Sequence, residues 1–134
     1  IAERNIFLCQ HPPLEQMPTM EHLIETSKKM LKMAVDSLRD LDADAAKQVR
    51  HLDDQADEYT VQVLKDLIDL MAMDAPVVEK RRLKMRRSIQ TIIISRCMER
   101  IADLATNIGE HVAFIVEGVN IKHQKIAEED HPQT

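Results

Sequence analysis

From Met20 onward, apolar residues recur every three or four positions. Met20, Leu23, Ile24, Leu31, Ala34, Leu38 and Leu41 keep the spacing of one helix face. Pro12, Pro13 and Pro18 break any helix before them, and Thr19 is a good N-cap, so a first helix is predicted over 19–41. Asp42-Ala43-Asp44 reads as a short turn, with Asp44 placed to cap the next helix. Val49, Leu52, Ala56, Val63, Leu67 and Leu70 then run at near-heptad spacing, which predicts a second helix over 45–73. Asp74-Ala75-Pro76 ends it, and Pro76 suits the first turn of a third helix. That helix is predicted over 77–117, about 60 Å long at 1.5 Å per residue. Its apolar face is Ile101, Leu104, Ala105, Ile108, Val112 and Ile115. Gly118 fits a left-handed cap, with Val119 packing back on Phe114. Connections of a few residues force neighbouring helices to run antiparallel. The expected fold class is all-α, an up-down-up three-helix bundle.

The segment IAERNIFLCQH at 1–11 stands outside that bundle. It echoes IGEHVAFIVEG at 108–118: Ile1 pairs with Ile108, Glu3 with Glu110 and Phe7 with Phe114. Each stretch closes an apolar-periodic segment before a break, so the echo reads as an internal repeat. The expected organisation is the end of a preceding repeat's last helix and a proline-rich linker (1–18), a three-helix bundle (19–123) and a flexible polar tail (124–134). A chain that begins with Ile is expected to be a piece of something longer.

Composition narrows the function classes. The net charge is −5 and the chain holds two Phe, one Tyr and no Trp, which argues against a nucleic-acid surface or a base-stacking platform. No apolar run approaches a membrane span, and nothing resembles a signal peptide. Cys9 and Cys97 read as reduced thiols of a cytosolic protein, Cys97 on the apolar side of helix three. No GxxxxGK[ST], GxGxxG, HExxH, GxSxG or paired CxxC is present, so most enzyme templates are missing. The eight methionines suit irregular core packing.

Two charged stretches stand out. In ERIADLATNIGEHVAFIVEG (99–118), Glu99, Asp103, Asn107 and Glu110 share one helix face, with Arg96 at its upstream end. Either the face is merely hydrated, or it holds something positive. In KRRLKMRR (80–87), six positive charges crowd the first turns of helix three, where the helix dipole favours anions. A solvated face neutralised by helix-two acids is one reading. A dock for an acidic partner or anionic lipid through Arg81, Arg82, Arg86 and Arg87 is the other. The six histidines show no i,i+4 pairing, and only His51 and His111 lie near acidic stretches.

ERIADLATNIGEHVAFIVEGVNIKH at 99–123 resembles the signature that closes the last helix of the PhoU family. NIFLCQHPPLE at 5–15 is similar to the segment joining that family's tandem three-helix repeats, and DDQADEY at 53–59 to the acidic motif of the second helix. The resemblance implies a cytoplasmic, non-enzymatic regulator of phosphate transport and phosphate-starvation signalling. It would act as an adaptor on the phosphate ABC transporter's ATPase subunit and on a sensor histidine kinase, and a homodimer is expected. It also implies metal clusters on E/D-x-x-x-D motifs, which fall here on Asp53, Asp57, Glu99 and Asp103. Carboxylates at i and i+4 can bridge a cation, and oxygen-only donors suit iron, manganese, magnesium or calcium, with zinc a further candidate. Asn107 and Glu110 are candidate additional ligands or outer-shell groups. Leu104 stands where the family often has His, Gly109 where it often has Ala, and His111 where it often has an acid. The rivals are a ferritin-like di-metal carboxylate protein and a structural helical module. The first needs inward Glu-x-x-His pairs, and the sequence offers only Glu128 to His131.

Overall fold

The structure, a computed structural model, describes residues 2, 3, 6, 17–73 and 77–129, with side chains as far as 118. Three helices carry the described chain: α1 (Pro18–Asp40), α2 (Ala43–Ala72) and α3 (Val78–Glu129). Each packs against both others, and the described residues contain no strand. The described chain is therefore all-α, as its periodicity predicts. Of the expected stub and linker at 1–18, Ala2, Glu3 and Ile6 are helical and Met17 and Pro18 open α1; the rest of that segment and the turn at 74–76 lie outside the described residues.

α1 starts with Pro18 in its first turn, where a missing N–H costs nothing. Thr19 is not the cap: Met17 holds that position without a side-chain bond, and the Thr19 hydroxyl donates instead to Asp66 Oδ2 on α2, at 2.9 Å. The helix ends at Leu41, which adopts the left-handed conformation at φ 51°. The next N–H, that of Asp42, closes on the Ser37 carbonyl at 3.0 Å. Asp42, and not Asp44, then caps α2. Its carboxylate accepts from the backbone N–H groups of Asp44 and Ala45, both at 3.0 Å.

The core lies along one ridge of each helix. On α1 that ridge is Leu23, Ser27, Met30, Ala34 and Ser37, so Leu31, Leu38 and Leu41, expected inside, are exposed. Two serines take core positions because their hydroxyls bond within the helix: Ser27 donates to the Leu23 carbonyl and Ser37 to that of Ala34, both at 2.8 Å. On α2 the expected stripe holds, with Ala46 and Thr60 added and Leu52 half-buried.

The α3 ridge is built from small residues. Ser88, Thr91, Ser95, Ala102, Ala105, Thr106, Gly109 and Val112 are buried. Leu104 and Ile115 are exposed, while Ile101, Ile108 and Cys97 are half-buried. Small side chains let the backbones approach closely, and a Cβ on Gly109 would lie 2.8 Å from the Ala46 carbonyl oxygen. Gly118 does not end α3. No described glycine has positive φ, and the helix runs through it to Glu129, into the segment expected to be a polar tail. Phe114 is 77% exposed.

Candidate functional site

The helices set the predicted carboxylates on the facing edges of α2 and α3. On α2, Asp53 and Asp57 lie beside the buried ridge of Val49, Ala56 and Thr60; on α3, Glu99 and Asp103 lie beside Ser95, Ala102 and Thr106. Arg50 and Lys47 continue the α2 edge and reach Glu110 at 3.8 Å and Glu117 at 3.3 Å. The two edges thus meet along several turns.

The four acids feel one another. Partial desolvation, then the charges of Asp53, Asp103, Glu99 and Asp54, push the Asp57 carboxyl above its usual range. Desolvation, then Asp53 and Glu99, does the same to Asp103. Both shifts have the sign expected where like charges share a site with too little positive charge. Arg96 is the cation beside them, its guanidinium 2.7 Å from Glu99 one helical turn on. Asp53 Oδ1 is buried with no hydrogen-bond partner, an acceptor left unsatisfied at the centre of a negative group.

A cleft of about 240 Å³ opens at the end of this cluster, between Asp57, Thr60, Ile92, Ser95, Arg96 and Glu99. Thr60 and Ser95 escaped the sequence reading because each bonds its own helix, to the Ala56 carbonyl at 2.9 Å and the Ile92 carbonyl at 2.8 Å. Asp54 was also missed as a contributor to the field on Asp57. Its only signal was adjacency to Asp53.

The donor set fits a hard or borderline cation: clustered carboxylate oxygens, one of them buried and unpartnered, in mutual repulsion. The side chains do not converge on one point. Among the described residues no three His, Cys, Asp or Glu side chains stand ready to hold one ion. Glu110 is engaged with Arg50. Asn107, His51 and His111 are exposed.

The basic run divides. Arg82 is exposed, as are Arg81 and Arg86, whereas Arg87 is buried, its Nε without a partner. Lys84 donates to the Met73 carbonyl at 3.3 Å, tying the start of α3 to the end of α2. Arg87 therefore belongs to the packed ridge and not to an outward basic surface.

The sequence matches the PhoU domain family over residues 20–112. A phosphate-specific transport system accessory protein PhoU homolog of Aquifex aeolicus is 34% identical over 128 residues, covering 96% of this chain and 55% of that protein. The protein of the same description in Pseudomonas aeruginosa is 29% identical over 124 residues (92% and 48%). That of Deinococcus radiodurans is 27% identical over 118 residues (88% and 52%). The chain spans about half the length of these curated relatives. No solved structure matches. Among the described residues no helix is long and apolar enough to cross a membrane.

Proposed function

We propose that this chain, which belongs to the PhoU family, is a regulator of phosphate transport and phosphate-starvation signalling that works by docking and not by catalysis. The carrying observation is that the family match over residues 20–112 contains both acidic segments, 53–57 and 99–103. The relatives' description as accessory proteins of the phosphate-specific transport system supports the same reading. On this reading the protein is cytoplasmic. It presents a rigid bundle to the transporter's ATPase subunit and to a sensor kinase. The helices run up, down and up, as the Thr19–Asp66 and Lys47–Glu117 contacts support.

Asp53, Asp57, Glu99 and Asp103 would hold a cation on the α2–α3 edge. Bound there, it would supply positive charge and cross-link two helices; it is not asked to activate a substrate. The residues' own part is to offer oxygen donors from two helices, with Arg96 restraining Glu99 and the packed small-residue ridge holding the helices close. Arg81, Arg82 and Arg86 add a basic surface at the start of α3 suited to an acidic partner face.

The test is co-elution of the purified chain with the ATPase subunit of a phosphate ABC transporter, paired with a phosphate-starvation reporter in cells lacking the gene. Association in phosphate-replete buffer and derepression of the reporter are expected. A chain that neither associates nor alters the reporter would refute the adaptor reading. Charge reversal at Arg81, Arg82 and Arg86 should weaken the association and flatten its salt dependence if that surface is the dock.

A further inference from the structure

Arg87 has no role in the reading above, and its surroundings are unusual for an arginine. The residue is only 6% exposed, its Nε has no hydrogen-bond partner, and no ion pair among the described residues includes it. Beside it the Ser88 hydroxyl is fully buried and also unpartnered. Other hydroxyls of the α3 ridge are satisfied within the helix: Thr91 donates to the Arg87 carbonyl at 3.0 Å and Ser95 to that of Ile92 at 2.8 Å. A buried guanidinium without a counter-charge is strongly unfavourable. Two adjacent orphaned donors, one of them charged, call for an acceptor.

The fold brings a further source of positive potential to the same level. Ala46 stands beside Gly109 and Thr60 shares a cleft with Ser95, so facing positions on α2 and α3 advance in opposite senses. Carried on, that register sets Asp66 level with Ile89. Asp66 accepts from Thr19 at the start of α1, which puts the first turn of α1 within about 3 Å of Arg87 and Ser88 in height. On α3, Arg87 shares the flank of Ile94, Ala105 and Val112, buried positions on the side away from the carboxylate edge, toward α1. The N-terminus of α1 has no side-chain cap, Pro18 brings no N–H, and Glu21, the acid of its first turn, is exposed. Asp66 is already engaged, by Thr19 on one oxygen and by Gln62 on the other at 2.7 Å. The helix dipole and the guanidinium therefore add their positive fields at one level of the bundle.

We infer that Arg87, Ser88 and the first turn of α1 form a binding site for a small tetrahedral oxyanion of the size of inorganic phosphate or sulfate. The donor chemistry selects that class. A guanidinium presents paired N–H groups that match the oxygens of such an ion, the hydroxyl adds a neutral donor, and the N–H groups of a helix N-terminus complete the set. Burial selects a free ion over a lipid headgroup or a phosphorylated partner, because so little of Arg87 is exposed for a tethered group to reach. The inference rests on the orphaned donors and is independent of the regulatory reading and of the acidic edge.

Thermal melts of the chelator-treated chain test it, in buffer free of oxyanions, titrated with sodium phosphate, sodium sulfate or, at matched ionic strength, sodium chloride. A saturable rise in melting temperature is expected with phosphate, sulfate or both, which names the ion, and not with chloride. Arg87→Met removes the charge and keeps most of the volume. It should abolish the response, and without the anion it should melt no lower than wild type, because the uncompensated charge is gone. Salting effects of phosphate and sulfate that are not site-specific would persist in that variant. Arg87→Lys and Ser88→Ala should each weaken the apparent affinity, by about tenfold for the lysine. Arg82→Ala, at an exposed position of the basic run, should leave it unchanged. No rise, an equal rise with chloride, or a response that survives Arg87→Met would each overturn the assignment. If Arg87→Met does not fold, Ser88→Ala decides, and an affinity equal to that of wild type would overturn the site.

Discussion

Gly109 shows how a single missing carbon sets the spacing of two helices. In an open helix, replacing Gly with Ala stabilises by about 1 kcal/mol. Here the added Cβ would stand 2.8 Å from the Ala46 carbonyl oxygen and 3.6 Å from Val49 Cβ, and the nearer atom is backbone that cannot swing aside. Gly109→Ala should therefore destabilise the protein by about 1–3 kcal/mol, the usual cost of overpacking, as read from urea denaturation. A more stable variant would mean that α2 and α3 do not approach so closely. The carboxylates predict the reverse sign. Asp57 and Asp103 have raised pKa values in the folded chain, so the native state binds their protons more tightly than the unfolded chain does. Their contribution to stability falls as pH rises from the unfolded value through the raised folded one, and it stays low above that. Acidifying the metal-free protein through this window should remove that penalty. Asp57→Asn or Asp103→Asn should raise its melting temperature at pH 7 by about 1–3 °C, from like-charge pairs costing about 0.2–0.5 kcal/mol each. The same variants should lose this gain in stability on acidification.

At the scale of elements, the three helices and the acidic edge were legible, because long 3.6-residue periodicity and i,i+4 carboxylates are local signals. The errors came from competition between neighbouring ridges. Leu31 and Leu38 outweigh Ser27 and Ser37 in any hydropathy reading, yet the serines bond their own helix and let the backbones close, while the leucines form a second stripe outside. Gly118 read as a stop, but an interior glycine costs a helix only about 1 kcal/mol, and nothing in α3 requires positive φ there. Asp42 and Asp44 competed for one cap. The left-handed Leu41 decided it by turning the chain so that the Asp42 carboxylate meets the N–H groups of Asp44 and Ala45. Asp42→Ala should then cost about 1 kcal/mol in thermal or urea unfolding. Asp44→Ala should cost a few tenths at most, through the helix dipole. Equal effects would return the cap to Asp44.

For the whole molecule, what matters is that α3 serves two edges at once. One flank lines up Glu99, Asp103, Glu110 and Glu117 against α2; the other lines up Ile101, Leu104, Ile108 and Ile115 beside α1. A bundle arranged this way keeps its apolar and acidic edges apart, so the acidic edge stays open to an ion or partner. The two properties should then be separable. Adding manganese, iron(II) or zinc to chelator-treated protein should raise its melting temperature, because a ligand that binds only the folded state stabilises it by about 2.7 kcal/mol at a hundredfold excess over Kd. For a chain of this size that is on the order of 10 °C. The Asp53→Ala, Asp57→Ala, Glu99→Ala, Asp103→Ala variant should lose this response and, freed of repulsion, start from a metal-free melting temperature no lower than that of wild type. Its sedimentation coefficient should not change. If the quadruple variant kept the metal response, the ion would bind elsewhere and the acidic edge would be only a hydrated helix face. If it lost the response and also changed its association state, the edges would be coupled through α3, and the small-residue ridge between them would be the element that transmits the change.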